Sequence, residues 1–203
     1  MKCVLHIIFA FICAANSAKI LGIVPTPSYS HQIAYQSLWK ELSLRGHQVT
    51  TITTQPINDP KLVNLTEIDV KHLQTNSLIL EAVTDSGGNT IAEVRHYFQM
   101  MIQAIDAQLD YDPIKRLISD QDENFDLVIV EYFFGSPLAF ATRFNCPSIG
   151  MVSVDAWNVM HHSVGNPTHP ILYPDSIALF PQTLSLAERV ANFFLLYFCR
   201  APL

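Results

Sequence analysis

The chain has 203 residues, 49% of them hydrophobic and only 15% charged, with a formal net charge of −6. That balance excludes a disordered chain, and an acidic protein does not coat nucleic acid by bulk electrostatics. The four cysteines (Cys3, Cys13, Cys146 and Cys199) show no metal-type C-x-x-C pair, and a chain of this length builds a core without disulfide staples.

The opening stretch, MKCVLHIIFAFICAANSA, has Lys2 as a positive n-region, then a short apolar run to Ala15. It is too short to span a bilayer comfortably, and Ala15 and Ser17 suit a cut after Ser17 or Ala18. Residues 1–18 therefore read as a secretory signal peptide, a buried first strand or a signal anchor being the alternatives. Its removal leaves Cys146 and Cys199, whose pairing the sequence does not decide. Asn64-Leu65-Thr66 is an N-glycosylation sequon in a polar stretch, a weaker sign of the same compartment.

Lys19 to Val24 (KILGIV) is a short apolar run closed by Pro25-Thr26-Pro27, as suits a buried parallel strand. Ser30 is a candidate N-cap for a helix carrying Tyr35, Leu38, Trp39 and Leu42 at helical spacing, with Gly46 just beyond its end. Gln48 to Thr53 is β-branched and reads as a second strand, which completes a βαβ unit. Glu67 to His72 alternates as a third, edge-like strand. Thr84 to Asn89 reads as a flexible loop. Ala92 to Leu109 places Val94, Phe98, Met101, Ile102 and Ile105 on one helical stripe. Asp110 to Ser119 continues it with a break near Pro113.

Phe125 to Val130 (FDLVIV) is the clearest buried strand. Leu138 to Phe144 reads as a short helix and Pro147 to Val154 as a further strand. Residues 155–180 hold Trp157, three histidines and three prolines with little periodicity, and Thr183 to Phe198 closes as a helix. Helix and strand alternate, so the expected class is α/β: a Rossmann-like, doubly wound parallel sheet in one domain over residues 19–203.

Ligands of such sheets bind beyond the carboxyl ends of strands, at the reversal of strand order. Two loops qualify: Pro25 to Gln32, and Glu131 to Ser136. The first carries His31 at a helix start, where the dipole favours a neutral imidazole of the kind a general base needs. The second carries Glu131, able to orient that imidazole and stabilise its protonated form. Position alone favours an ordinary early-helix polar residue for His31, and the alternative for Glu131 is a solvated glutamate at a strand end. Asp126 reads as structural and Asp155 as a second-choice carboxylate. No glycine-rich phosphate cradle follows the first strand and no G-x-S-x-G is present, which argues against a dinucleotide site and a serine hydrolase. His161, His162 and His169 fit no standard metal spacing, and no metal is expected.

Lys19 to Thr53, KILGIVPTPSYSHQIAYQSLWKELSLRGHQVTTIT, resembles the opening of animal UDP-glycosyltransferases, especially the insect type. FDLVIVEYFFGSPLAFATRFNCPSIGMVS resembles the same family's later strand-loop-helix-strand, and so does LSLAERVANFFLLYF near the end. The resemblance implies the N-terminal, acceptor-binding half of a GT-B glycosyltransferase. His31 falls at the family's histidine base, and Glu131 falls where the family usually has an aspartate, one methylene shorter. The implied reaction moves a sugar from a UDP-sugar to a small lipophilic hydroxyl-bearing acceptor with inversion. No cofactor is implied, the UDP-sugar being a co-substrate held mainly by the family's C-terminal half.

The family's donor-binding signature, transmembrane anchor and basic tail find no match in these 203 residues, so the chain is expected to be the N-terminal half alone and inactive by itself. The expected setting is the endoplasmic reticulum lumen, membrane association and a role in detoxification belonging to a full-length form. Tyr97, Phe98, Met101, Phe133 and Trp157 are candidates for the acceptor pocket, each also suited to plain core packing. The competing reading is a lumenal binding protein for small lipophilic ligands or partner subunits that transfers nothing.

Overall fold

The computed structural model describes residues 17–73, 90–133, 135–166, 168–169, 171–175 and 183–198. The signal-peptide reading falls almost wholly outside them, as do the 84–89 loop and Cys199. The chain divides into two compact units: Met1–Glu131 with Gly135–Met151, and Tyr132–Phe134 with Val152–Leu203.

The first unit is a five-stranded parallel sheet in the order β3-β2-β1-β4-β5. Its strands are β1 (Lys19–Val24), β2 (Gln48–Thr53), β3 (Leu65–Asp69), β4 (Leu127–Glu131) and β5 (Ser148–Met151). β1 pairs with both β2 and β4, so strand order reverses beside it, as a doubly wound α/β sheet requires. The expected class is the one observed. β3 starts two residues earlier than its alternating pattern suggests and ends at Asp69, where Lys71–Leu73 turn into a 3-10 helix.

Strand parity decides what each face meets. Ile20, Val24, Val49 and Ile129 turn toward α1 (Tyr29–Leu44) and form a core cluster with its Tyr35 and Trp39. Gly22 lies on that face because Trp39 leaves no room: a Cβ there would stand 2.7 Å from the indole. On the other face Ile23 and Ile52 share a small cavity with Ile105 and Leu109 of α2 (Thr90–Leu109), Ile114 of α3 (Asp112–Ser119) and Phe140 of α4 (Ala139–Phe144). Pro113 sits in the first turn of α3, where its missing N–H costs nothing.

The N-cap of α1 is Ser28 and not Ser30. The backbone carbonyl of Ser28 accepts the N–H groups of His31 and Gln32, while its hydroxyl pairs with that of Ser30 at 2.9 Å and caps nothing. His31 consequently lies in the first turn. Gly46 follows the helix with φ +91, as its placement beyond the last turn implies.

The second unit holds two described helices, α5 (Asn158–Ser163) and α6 (Leu186–Phe198). α5 falls within the stretch of weak periodicity, because six residues give too few turns to register a period. α6 opens on a reciprocal capping box: Ser185 N–H donates to Glu188 Oε2 at 2.7 Å and Glu188 N–H to Ser185 Oγ at 3.4 Å. Beneath these helices lies a buried polar knot. Asp175 accepts the Asn158 N–H at 2.9 Å and gives its own N–H to Asn192 Oδ1 at 3.0 Å. No described helix is long and apolar enough to cross a membrane.

Candidate active site

The carboxyl ends of β1 and β4 lie side by side at the strand-order reversal. β4 ends in Glu131, which has the parity of Ile129 and so turns toward α1. Four residues separate the end of β1 from the start of α1, whose first turn carries His31 to the same place. His31 Nδ1 stands 2.8 Å from Glu131 Oε1. The glutamate side chain is fully buried and the histidine side chain 18% exposed. Two residues a hundred positions apart thus meet because the fold places both at the switch point.

A buried carboxylate needs partners for both oxygens. Glu131 Oε2 accepts the Thr26 N–H at 3.2 Å. Pro25 and Pro27 carry no N–H, so Thr26 is the one backbone donor of that tripeptide, and the glutamate uses it. The carbonyls of the turn are held in kind. Gln32 Nε2 donates to Val24 O at 2.9 Å and Thr26 O at 2.6 Å. Gln108 Nε2 reaches Pro25 O at 3.1 Å, and Thr54 Oγ1 reaches Thr26 O at 3.2 Å.

Tyr35, one turn along from His31, is buried with its hydroxyl donating to Met151 O at 2.9 Å. Burial pushes its phenol well above the usual tyrosine range, and the nearby Glu131 charge adds to the effect. Tyr35 therefore stays a neutral donor and is no candidate acid or base.

With a carboxylate oxygen accepting, the ring nitrogen Nδ1 carries the hydrogen of the pair. A neutral ring in that tautomer has its lone pair on Nε2, the nitrogen that would take up a proton. A carboxylate so placed can orient the ring and stabilise a protonated imidazole, the geometry of the carboxylate–histidine part of a triad.

The remaining candidates separate. Met101 is buried in the first unit at 2% exposure and Phe98 is half-buried. The Tyr97 side chain lies outside what the structure describes. Phe133 and Trp157 belong to the second unit, where their rings pack 5.5 Å apart. Asp155 is exposed in that unit, and Asp126 Oδ2 accepts the Lys19 N–H at 2.7 Å, which ties β4 to β1. Asn64 lies in a turn before β3 with its side-chain amide on Ser43 O at 3.2 Å. His161 takes a hydrogen bond from Asn166, and no group of three metal-ligating side chains occurs among the described residues.

Sequence reading missed Gln32, Thr26 and Thr53. The signal was present in the spacing: Gln32, Tyr35, Trp39 and Ser43 are the buried residues of α1. A glutamine heading an apolar stripe has to spend its amide on something.

Fold and site together define a parallel α/β domain with a buried carboxylate–imidazole pair at its switch point. No protein-family model matches the chain. A UDP-glucosyltransferase of Dactylopius coccus is 30% identical over 201 residues, which cover 93% of this chain and 37% of the relative. A second UDP-glycosyltransferase of that insect is 29% identical over 90% of this chain and 36% of its own length. An ecdysteroid UDP-glucosyltransferase of Lymantria dispar multicapsid nuclear polyhedrosis virus is 29% identical over 83% and 35%. The chain is homologous to UDP-glycosyltransferases over most of its length and spans a little over a third of these curated relatives. The solved structure of TcCGT1 in complex with UDP overlays on 78% of this chain and 35% of that one, with a TM-score of 0.45 and 18% identity.

Proposed function

We propose that this chain is the acceptor-binding part of a UDP-glycosyltransferase, with His31 as general base and Glu131 as the group that orients it. The observation that carries the reading is the 2.8 Å pairing of His31 Nδ1 with a fully buried glutamate at the strand-order reversal. Homology to UDP-glycosyltransferases supports the reaction class. In the proposed step the acceptor hydroxyl gives its proton to His31 Nε2. Its oxygen bonds to the anomeric carbon of the sugar, the bond from that carbon to UDP breaks, and UDP leaves with the electron pair. A single displacement inverts the anomeric centre. A positioned base of this kind contributes about 10²–10⁴-fold.

A small lipophilic acceptor is the proposed substrate class, supported by relatives named as ecdysteroid glucosyltransferases. A UDP-sugar is the proposed donor, supported by relatives named as UDP-glycosyltransferases. The lumen of the secretory pathway is the proposed location, resting on the leader-like residues 1–18 and the Asn64 sequon. Calorimetry with an ecdysteroid, with a planar phenol and with UDP-glucose tests the division of labour. The account expects this chain to bind one of the two aglycones and to bind UDP-glucose weakly or not at all. Binding of UDP-glucose alone would contradict it.

A further inference from the structure

We infer that Gln32 is a positioning residue for the histidine–glutamate pair, acting through the Pro25-Thr26-Pro27 turn; the inference rests on the reading of that pair as the base and its orienting group. Gln32 is 1% exposed, and each of its side-chain hydrogen-bond partners lies in the site's frame. Its two amide hydrogens go to Val24 O, the last carbonyl of β1, and to Thr26 O. Its own oxygen accepts the hydroxyl of Thr53, the last residue of β2, at 2.6 Å. Only this amide orientation satisfies all three partners, since two are carbonyls and one is a hydroxyl.

The turn it holds cannot hold itself. Pro25-Thr26-Pro27 has a single N–H, which is committed to Glu131 Oε2. The plane of the Pro25–Thr26 peptide therefore sets where the second carboxylate oxygen rests, and with it the direction in which the first oxygen meets His31. Gln32 holds the peptides on either side of that plane, Val24–Pro25 through Val24 O and Thr26–Pro27 through Thr26 O. It also follows His31 directly on α1, so one turn of helix carries both the proposed base and the clamp on the base's partner. Thr54 Oγ1 shares Thr26 O at a longer 3.2 Å, and Gln108 holds Pro25 O, the carbonyl of the central plane itself; Gln32 alone of the three spans both flanking peptides and ties them to β2 through Thr53.

Gln32→Met keeps size and removes the donors, and Thr53→Val loosens the clamp more gently and serves where Gln32→Met fails to fold. Long-range proton–nitrogen spectra of the His31 ring, recorded on the 203-residue chain with the ring neutral, read the tautomer directly. The wild type is expected in the Nδ1–H form. Gln32→Met, shown folded by circular dichroism, is expected to populate the Nε2–H form comparably, and Thr53→Val to move the same way by less. An unchanged tautomer in both folded variants overturns the inference. In a form carrying a donor-binding half, Gln32→Met is expected to lower kcat about ten- to a hundredfold with the acceptor KM within about threefold, as misplacement of a catalytic group does. If His31→Ala abolishes turnover while Gln32→Met leaves kcat and tautomer intact, the inference fails alone. If His31→Ala leaves turnover intact, the reading beneath it fails.

Discussion

Gly22→Ala sets two effects of opposite sign against each other. Alanine in a strand interior gains about 0.5–1 kcal/mol over glycine from the lower entropy of the unfolded chain. At this site the new Cβ would lie 2.7 Å from both Cη2 and Cζ2 of Trp39. Carbon–carbon contacts settle near 3.5–4.0 Å, so the indole must retreat by about 1 Å. It is 2% exposed and stacks on Tyr35 with ring centres 6.1 Å apart, so the shift passes into the core cluster. Overpacking of this kind costs roughly 1–3 kcal/mol, and the net expectation is a loss of about 1–2 kcal/mol. At a urea dependence of about 2 kcal/mol/M the midpoint should fall by roughly 0.5–1 M, followed by far-ultraviolet circular dichroism. Trp39→Phe in the same chain shortens the ring and should recover part of the loss, a coupling visible in a double-mutant cycle. A Gly22→Ala chain as stable as the wild type, or more so, would refute the packing argument.

In the α6 capping box, Ser185 holds the Glu188 carboxyl below its ordinary range, through both side-chain and backbone hydrogen bonds. A depressed carboxyl stabilises above its unfolded pKa and loses that contribution as pH falls through the folded value. The thermal midpoints of wild type and Glu188→Gln should therefore converge on acidification from neutral pH to about 3, and a constant gap would contradict the box. Burial pushes the Cys146 thiol up, and the Asp126 charge adds to it. Iodoacetamide should therefore modify Cys146 more slowly at neutral pH than it does free glutathione, and an equal rate would contradict this. Expressed through a secretory pathway, Asn64 should carry a glycan, seen as a glycosidase-sensitive mobility shift that Asn64→Gln removes; secreted wild type without the shift would count against it.

The elements that composition made legible are those buried on both sides. The ILGIV of KILGIV and the LVIV of FDLVIV are continuous apolar runs because a central parallel strand is covered twice. β3 is an edge strand with mixed exposure, so its pattern drifted against the turn beside it. The helix start moved from Ser30 to Ser28 because the cap is made by a backbone carbonyl, which leaves no side-chain signature. His31 and Glu131 were legible as residues at strand ends, since topology alone sends such positions to the switch point. Their support was not: Thr26, Gln32 and Thr53 look like turn and helix-surface polars until three chain segments converge. The knot of Asn158, Asp175 and Asn192 is hidden for the same reason, its partners lying 17 positions apart in sequence.

The central claim is that His31, oriented by Glu131, takes the acceptor's proton. The most direct measurement is steady-state turnover of His31→Ala and Glu131→Gln in a form of the protein that carries a donor-binding half, with acceptor affinity measured alongside. The account predicts that His31→Ala lowers kcat by about 10²–10⁴-fold with acceptor affinity little changed, and that Glu131→Gln, which keeps the shape and loses the charge, lowers it less. Turnover of His31→Ala near that of the wild type would contradict it.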